Sequence, residues 1–285
     1  MKSGKATGPD KISVDIIEAL DDYGIEKTTN LLNEIYDTGQ IPTDLTKSIF
    51  IALPKKKPGA TECELHRTIS LMSHITKILL RIVMLRVRNK IKPQIAEEQC
   101  GFIEGKGTAN AIYNPRVLIE RALEVQKDVY LCFIDYTKAF DRVRYDEIIM
   151  QLEQLNIDGK DFRIIKNMHW EQTAAMRVGN ETSSFQRIKR GVRQGCVLSP
   201  DLFSLHSEII MQNLENCPLI KVGGYNVNNI RYADDTVLIA ENKDDLQKLL
   251  NIVEEESRKK GLELNSKKTE VMVIIRNKNP QNVTY

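Results

Sequence analysis

The sequence lacks any local pairing of cysteine. Cys63, Cys100, Cys132, Cys196 and Cys217 are odd in number, widely spaced and form no C-x-x-C pair. That pattern argues against a disulfide framework and for buried free thiols in a reducing compartment. Histidine is as sparse: His66, His74, His169 and His206 fall in no H-E-x-x-H or related spacing, so no zinc site is expected. No run of about 18 apolar residues occurs, and with it no membrane span is expected. The opening MKSGKATGPDK has no apolar h-region of the kind a secretory signal needs. No internal repeat or low-complexity tract interrupts the chain.

What remains is the composition of a soluble globular protein. Of 285 residues, 41% are hydrophobic and 28% charged, enough apolar material for a sizeable core and, by length, for about two domains. The net charge of +2 says little, but its distribution says more. Between Lys47 and Lys92 stand eleven basic residues and two acids, Glu62 and Glu64, a local excess of +9. Two readings stand at this point: a surface for a phosphate backbone or polyphosphate, or a solvated helix face beside a basic loop.

The first 45 residues read as helical after a Gly/Pro-rich opening. KSIFIALP (Lys47 to Pro54) reads as a strand stopped by proline, and PKKKPGATE as a basic loop. ITKILLRIVMLRVRNKI carries Ile75, Ile78, Leu79, Ile82 and Val83 at helical spacing. DVYLCFID (Asp128 to Asp135) is a continuous apolar run, the pattern of a central strand covered on both faces. YDEIIMQLEQL follows as a helix, and a hairpin is expected around Gly179–Asn180. Ser199 is expected to cap a further helix with Pro200 in its first turn. NKDDLQKLLNIVEEESRKKG is the clearest helix, with Asn242 as cap, acids at its positive end, basic residues at its negative end and Gly261 at C′. LELNSKKTEVMVII is expected to return as a strand. The order implies an α+β sheet with helices packed on one face.

Two expected strands end in carboxylates, one at Asp135 and the other at Asp234–Asp235, which precede the apolar run Val237–Ala240. Adjacent acids beside a buried strand repel each other and are costly to desolvate. An Asp-Asp pair alone is most often a turn. If the two strands are neighbours, three acids converge, and two Mg2+ ions would hold them ionised, as in phosphoryl-transfer sites. A calcium loop from Asp135 and Asp141 is excluded, because the required Gly is missing and the flank is strand.

Seven ordered blocks carry a resemblance that spans almost the whole chain: KATGPDKI, IALPKKK, HRTISLMSHITKILLRIV, EEQCGFIEGKGTANAI, FIDYTKAFDRV, GVRQGCVLSPDLFSL and YADD, with GLELNSKKT after them. The chain resembles the reverse transcriptase domain of non-LTR (LINE-type) retrotransposons. The resemblance implies a right-hand polymerase: fingers at 1–125 with the fingers–palm connection, and palm at 126–285, with fingers elements interleaved around 143–190. The palm it implies is a ferredoxin-like antiparallel sheet with helices on one face. It implies RNA-directed DNA synthesis with two Mg2+ ions, or Mn2+ in their place, on an RNA template, a DNA primer and dNTPs, with no membrane partner.

Carried over residue by residue, Asp135, Asp234 and Asp235 match the metal carboxylates, Asp234 the stronger of the pair, with the Tyr136 carbonyl beside them. Phe140 matches the steric gate that excludes a 2′-hydroxyl, and Tyr232 the residue that supports the primer end. Arg67 matches the arginine that grips the triphosphate, where its fork suits phosphate oxygens. Lys55 is a second candidate among three adjacent lysines. Gln194 and Gly195 match the block lying against nucleotide and template. Lys268 matches the late lysine that protonates pyrophosphate.

Three positions depart from the pattern. Thr68 replaces the usual proline, which is expected to loosen the segment presenting Arg67; Pro115 falls inside an expected helix; His206 stands where tyrosine is expected. The family's thumb and upstream endonuclease regions are absent, so the chain reads as a fingers-plus-palm fragment of a polyprotein with weak grip on primer–template. A catalytically inactive remnant with residual RNA binding is the competing reading. An intracellular location, nucleus or cytoplasm, is expected.

Overall fold

The computed structural model describes residues 4–55, 62, 65–222 and 224–275. Cys63, Lys56 and Lys57 lie outside them. In chain order the helices are α1 Val14–Glu18, α2 Asp22–Thr38, α3 Thr43–Thr46, α4 His74–Ile91, α5 Thr108–Glu124, α6 Ala139–Arg142, α7 Tyr145–Gln154, α8 Gly159–Trp170, α9 Ser199–Gln212 and α10 Lys243–Lys259. The strands are β1 Lys47–Pro54, β2 His66–Met72, β3 Val129–Ile134, β4 Thr173–Val178, β5 Glu181–Thr182, β6 Gln186–Arg187, β7 Ile220–Val222, β8 Tyr225–Val227, β9 Asn229–Tyr232, β10 Asp235–Ala240 and β11 Glu270–Ile274. They form two compact units, each built from two chain segments: Met1–Lys92 with Arg144–Leu202, and Pro93–Val143 with Phe203–Tyr285.

The first unit is organised by β1, which has the bounds its apolar run and terminal proline predict. It pairs antiparallel with β2 and parallel with β4. The expected hairpin is present: Arg177 faces Thr182 and Val178 faces Glu181, with Gly179 in the left-handed region (φ +60°) that glycine tolerates. Thr68 stands in a paired strand and not in a loop. It lies within β2 opposite Ala52, since threonine keeps the backbone N–H that proline would remove. α4 is capped by Ser73, whose hydroxyl accepts from Ile75 N, and buries Leu79, Leu80, Val83, Met84, Val87 and Ile91.

The basic segment is partly absorbed by this packing. Lys47 pairs with Asp44 and Arg88 with Asp201, Arg86 sits over the Tyr36 ring, and Lys77 is half-buried. Arg67 and Arg81 stay exposed.

α8 was not expected from the sequence, because GKDFRIIKNMHW carries only Ile164, Ile165 and Met168 as its buried residues. Near its end the His169 ring packs edge-on to Tyr145, and its Nδ1 lies 2.8 Å from the Ile165 carbonyl, which requires that nitrogen to carry the proton. Burial, with the Arg193 charge adding to it, pushes the imidazole down to about 4. The unfolded chain binds this proton below about pH 6.5 and the folded chain only near pH 4. Stability is therefore fully present above pH 6.5 and is lost as the pH falls toward 4. The residue is only half-buried, which trims the loss to about 2 kcal/mol. Urea unfolding at pH 7 and 4.5 measures it, and His169→Phe should flatten the difference.

The second unit is a four-stranded antiparallel sheet in the order β11-β3-β10-β9. α9 precedes the β9–β10 hairpin and α10 precedes β11. The helices flanking this central hairpin give the ferredoxin-like alternation. α10 has the caps its sequence announces: Asn242 Oδ1 accepts from Asp245 N at 2.8 Å, and Gly261 takes φ +86° just beyond the end. α9 begins one residue earlier than expected, at Ser199, with the Leu198 carbonyl accepting its first bond from Leu202.

α10 covers the sheet face that carries Tyr136, whose hydroxyl meets Ser257 at 2.9 Å. α5 adds partial cover to the opposite face, where Leu118 and Ala122 pack with Leu131, Ile230, Val237 and Ile239. Pro115 is accommodated within this helix. The cover is incomplete, so β3 is not buried throughout: Phe133 is 41% exposed and lines a cavity of about 900 Å3. LELNSKKTEVMVII is continuous strand only from Glu270 onward; Leu264 makes an isolated antiparallel bridge to Tyr136 at the end of β3, and residues 266–268 form a turn. Cys100 and Cys132 are buried, as expected of free thiols, whereas Cys196 and Cys217 are half-exposed.

Candidate active site

The two acids that head β10 are presented by a two-residue turn. Tyr232 pairs with Asp235 across the hairpin, leaving Ala233 and Asp234 between them. Ala233 takes φ +58°, the sign a tight hairpin demands at this corner and an uncommon one for a residue with a Cβ. Asp234 is half-buried and Asp235 exposed.

β3 brings the third acid. β10 pairs with β3 so that Thr236 faces Ile134. One step beyond the ladder, the same register sets Asp235 opposite Asp135. Alternation places both on the sheet face that Phe133 and Val237 share, and both line the 900 Å3 cavity, with Tyr232, Lys267 and Lys268. Asp135 is held on its other side by Asn265 and Lys268, from the segment before β11. Asn265 N donates to its carbonyl at 2.8 Å, Asn265 Nδ2 to Oδ2 at 3.2 Å, and Lys268 Nζ stands 3.3 Å from the same Oδ2. Thr137 N donates to Glu263 O. In that pattern the Tyr136 N–H and C=O point away from Leu264, toward the side of β3 on which β10 lies. The Tyr136 phenol is buried, which pushes it up to about 12; the Asp234 charge acts in the same direction, and the Ser257 bond and the Arg231 charge oppose it.

These residues supply only hard oxygen donors, the set that suits Mg2+ or Mn2+. They are gathered at one sheet end but not closed into a cage: among the described residues, no group of three or more His, Cys, Asp or Glu side chains is set to hold a metal ion. Asp135 is turned to the Lys268 ammonium, 3.3 Å from its Oδ2.

Phe140, on α6 just after Lys138 (φ +50°), is half-buried in an aromatic group. Its ring stacks on Phe203 at 4.3 Å with an interplanar angle of 10°, and Phe102 meets it edge-on at 6.0 Å. Phe203 is fully buried and Phe102 half-exposed.

The remaining sequence-selected residues belong to the first unit. Lys55 follows β1, exposed, with its N–H donating to Leu65 O at 2.8 Å. Arg67 is exposed on β2 opposite Leu53. Three residues along the same strand, Ser70 N donates to Gln194 O at 3.0 Å. Gly195 takes φ +102°, and a Cβ there would stand 3.3 Å from Ser70 O, so a glycine is required. β2 thus carries Arg67 and receives the Gln194–Gly195 turn.

Sequence reasoning missed three residues that brace these groups. Arg193 is buried beneath the Gln194 turn, its Nε donating to Gln172 Oε1 at 2.5 Å and a terminal nitrogen to Thr46 O at 2.8 Å. Arg231 and Glu208 form a buried two-pronged ion pair at 3.1 and 3.2 Å, directly before the Tyr232–Asp235 turn. The signals were available: a basic residue inside RQG, and another inside a strand of otherwise buried residues.

Residues 53–285 match the family model described as reverse transcriptase (RNA-dependent DNA polymerase). The chain is 26% identical over 270 residues to the retrovirus-related Pol polyprotein of the type-1 retrotransposable element R2 from Nasonia vitripennis, covering 95% of this chain and 26% of that one. It is likewise 26% identical to the RNA-directed DNA polymerase of the mobile element jockey from Drosophila melanogaster, covering 84% of this chain and 26% of the relative. The chain therefore spans about a quarter of the length of these curated relatives. Among solved structures, a C-terminally truncated apo telomerase from Candida tropicalis superposes with a TM-score of 0.63 at 15% identity, covering 89% of this chain and 56% of that one. Telomerase from Candida albicans gives 0.61 at 11% identity, covering 92% and 48%. At these identities the structural likeness speaks for the fold alone.

Proposed function

The chain belongs to the reverse transcriptase (RNA-dependent DNA polymerase) family, and from that premise we propose that it adds dNTPs to the 3′ end of a DNA primer on an RNA template. The observation that carries the reading is the convergence of Asp135, Asp234 and Asp235 at one end of the second unit's sheet, two of them facing one cavity beside Lys268. Asp135, Asp234 and Asp235 would hold two Mg2+ ions, or Mn2+ in their place, with the Tyr136 carbonyl beside them. When bound, such ions make the primer hydroxyl a better nucleophile and stabilise the departing pyrophosphate.

The chain's own groups do the rest. Tyr232 supports the primer end from the cavity wall. Lys268, whose Nζ stands 3.3 Å from Asp135 Oδ2, would hold a proton for the leaving pyrophosphate. We assign triphosphate contacts to Arg67, with Lys55 as a second cation, and contacts to nucleotide and template to Gln194 and Gly195. The first unit is read as fingers and the second as palm.

Phe140 sets the choice of sugar. Phe140→Ala should lower the preference for dNTP over NTP by about 10- to 100-fold, read as the ratio of kcat/KM values. The function itself is tested by primer extension: the purified chain, given an RNA template, a DNA primer, dNTPs and Mg2+, extends the primer. No extension at any Mg2+ or Mn2+ concentration rejects the reading, and salt-dependent RNA binding without synthesis would leave a binding module.

A further inference from the structure

The turn carrying Asp234 and Asp235 is held from outside by a segment to which the proposed chemistry gives no role. Residues 98–101 run parallel to β9: Arg231 N donates to Glu98 O at 2.9 Å, and Cys100 N to Arg231 O at 2.8 Å. Between them the Gln99 side chain, 0% exposed, is spent entirely on the turn and its own loop. Its Oε1 accepts from Ala233 N at 2.9 Å and from Gly101 N at 2.7 Å, and its Nε2 donates to Ala233 O at 3.4 Å. Both backbone polar groups of Ala233 thus end on one buried amide, at the residue forced into the left-handed region. Gly101 closes the contact: a Cβ there would come within 2.1 Å of Ala233 N, so only glycine lets the segment approach this far.

We propose that Gln99 is a positioning residue for divalent-cation binding. It acts through Ala233 to hold the turn in the shape that aims Asp234 and Asp235. The inference rests on the metal reading of those acids. A left-handed alanine persists only where its surroundings over-determine it. Here the hairpin calls for that sign, and the paired bonds of one amide hold the residue to it. Without that amide, Ala233 relaxes, its buried N–H and C=O lose their partners, and the acids lose their common aim.

Mn2+ binding, followed by the electron paramagnetic resonance signal of the free ion, tests this without any turnover. In Gln99→Leu, shown folded by circular dichroism, Mn2+ affinity should fall by about 10- to 100-fold, as when other groups that orient metal ligands are removed. Adding Ala233→Gly to that variant should recover most of the loss, because glycine takes the positive φ without support. A folded Gln99→Leu chain that binds Mn2+ within about twofold of the unaltered one overturns the proposal. So does a loss that Ala233→Gly leaves untouched, since the amide would then act elsewhere than at the turn. Should Gln99→Leu fail to fold, Gln99→Asn, whose amide is one methylene short, is read by the same two criteria. If the unaltered chain binds no Mn2+, the metal reading itself fails, and this inference with it.

Discussion

Asp234→Ala should abolish primer extension, cutting the rate of nucleotide addition by at least about a thousandfold, ~4 kcal/mol in barrier. The size follows from what the carboxylate is asked to do. Removing one anionic ligand weakens every charge interaction that a bound cation offers the primer hydroxyl and the departing pyrophosphate. The sign of the accompanying stability change makes the test sharp. Asp234 shares its sheet end with Asp135 and Asp235, and its charge already disfavours ionisation of the Tyr136 phenol. Taking a like charge out of such a cluster relieves repulsion. A folding residue would lose activity through lost stability. Asp234→Ala should instead keep or raise the urea midpoint while synthesis disappears. Rates in a primer-extension time course, set beside an unfolding curve of the same sample, decide it. Retained synthesis would remove Asp234 from the chemistry.

Glu208→Ala should have the largest effect on the fold of the second unit. Glu208 and Arg231 are 3% and 1% exposed, and the carboxylate also accepts from Ala96 N at 3.2 Å. Arg231 Nε has no partner among the described residues, so the guanidinium depends on this carboxylate. Removing it strands a buried cation and an N–H together, which costs about 3–5 kcal/mol, a large share of a domain's usual stability of about 5–15 kcal/mol. Replacing both partners by apolar residues of similar size, Glu208→Leu with Arg231→Met, should cost far less than Glu208→Ala alone, because no charge is then left in the interior. Chemical unfolding of the single and double variants measures the difference. A double variant as unstable as the single one would show that shape, not charge, holds β9 against α9.

Much of the secondary structure was legible in local sequence. The termini of β1, the caps of α10 and the hairpin at Gly179–Asn180 follow from proline, asparagine and glycine acting on their own neighbours. The limits of local reading show at α8, whose apolar stripe is too short to declare itself, and at residues 266–268, where a turn interrupts the expected strand between Leu264 and Glu270. The turn closes locally, with the Asn265 carbonyl accepting from Lys268 N and Thr269 N; the stretch before it is set by tertiary pairing. The backbone of Glu263 and Asn265 is recruited by the end of β3, a partner more than a hundred residues away. Phe133 is exposed for a related reason: α5 covers only part of its face.

The sequence by itself determined the acids. Asp135 ends one apolar run, Asp234 and Asp235 precede another, and seven ordered blocks attach a family to them, because chemistry that needs several carboxylates writes them into short motifs. Only the tertiary structure decided how those acids are held. It puts Asp135 and Asp235 in register on one face, turns Lys268 onto Asp135, stacks Phe140 on Phe203, and folds Gln99 over Ala233. Each of these contacts joins residues far apart in the chain and depends on burial and hydrogen-bond geometry, which no spacing along a sequence encodes. The acids are therefore readable as letters, whereas their aim is a property of the fold.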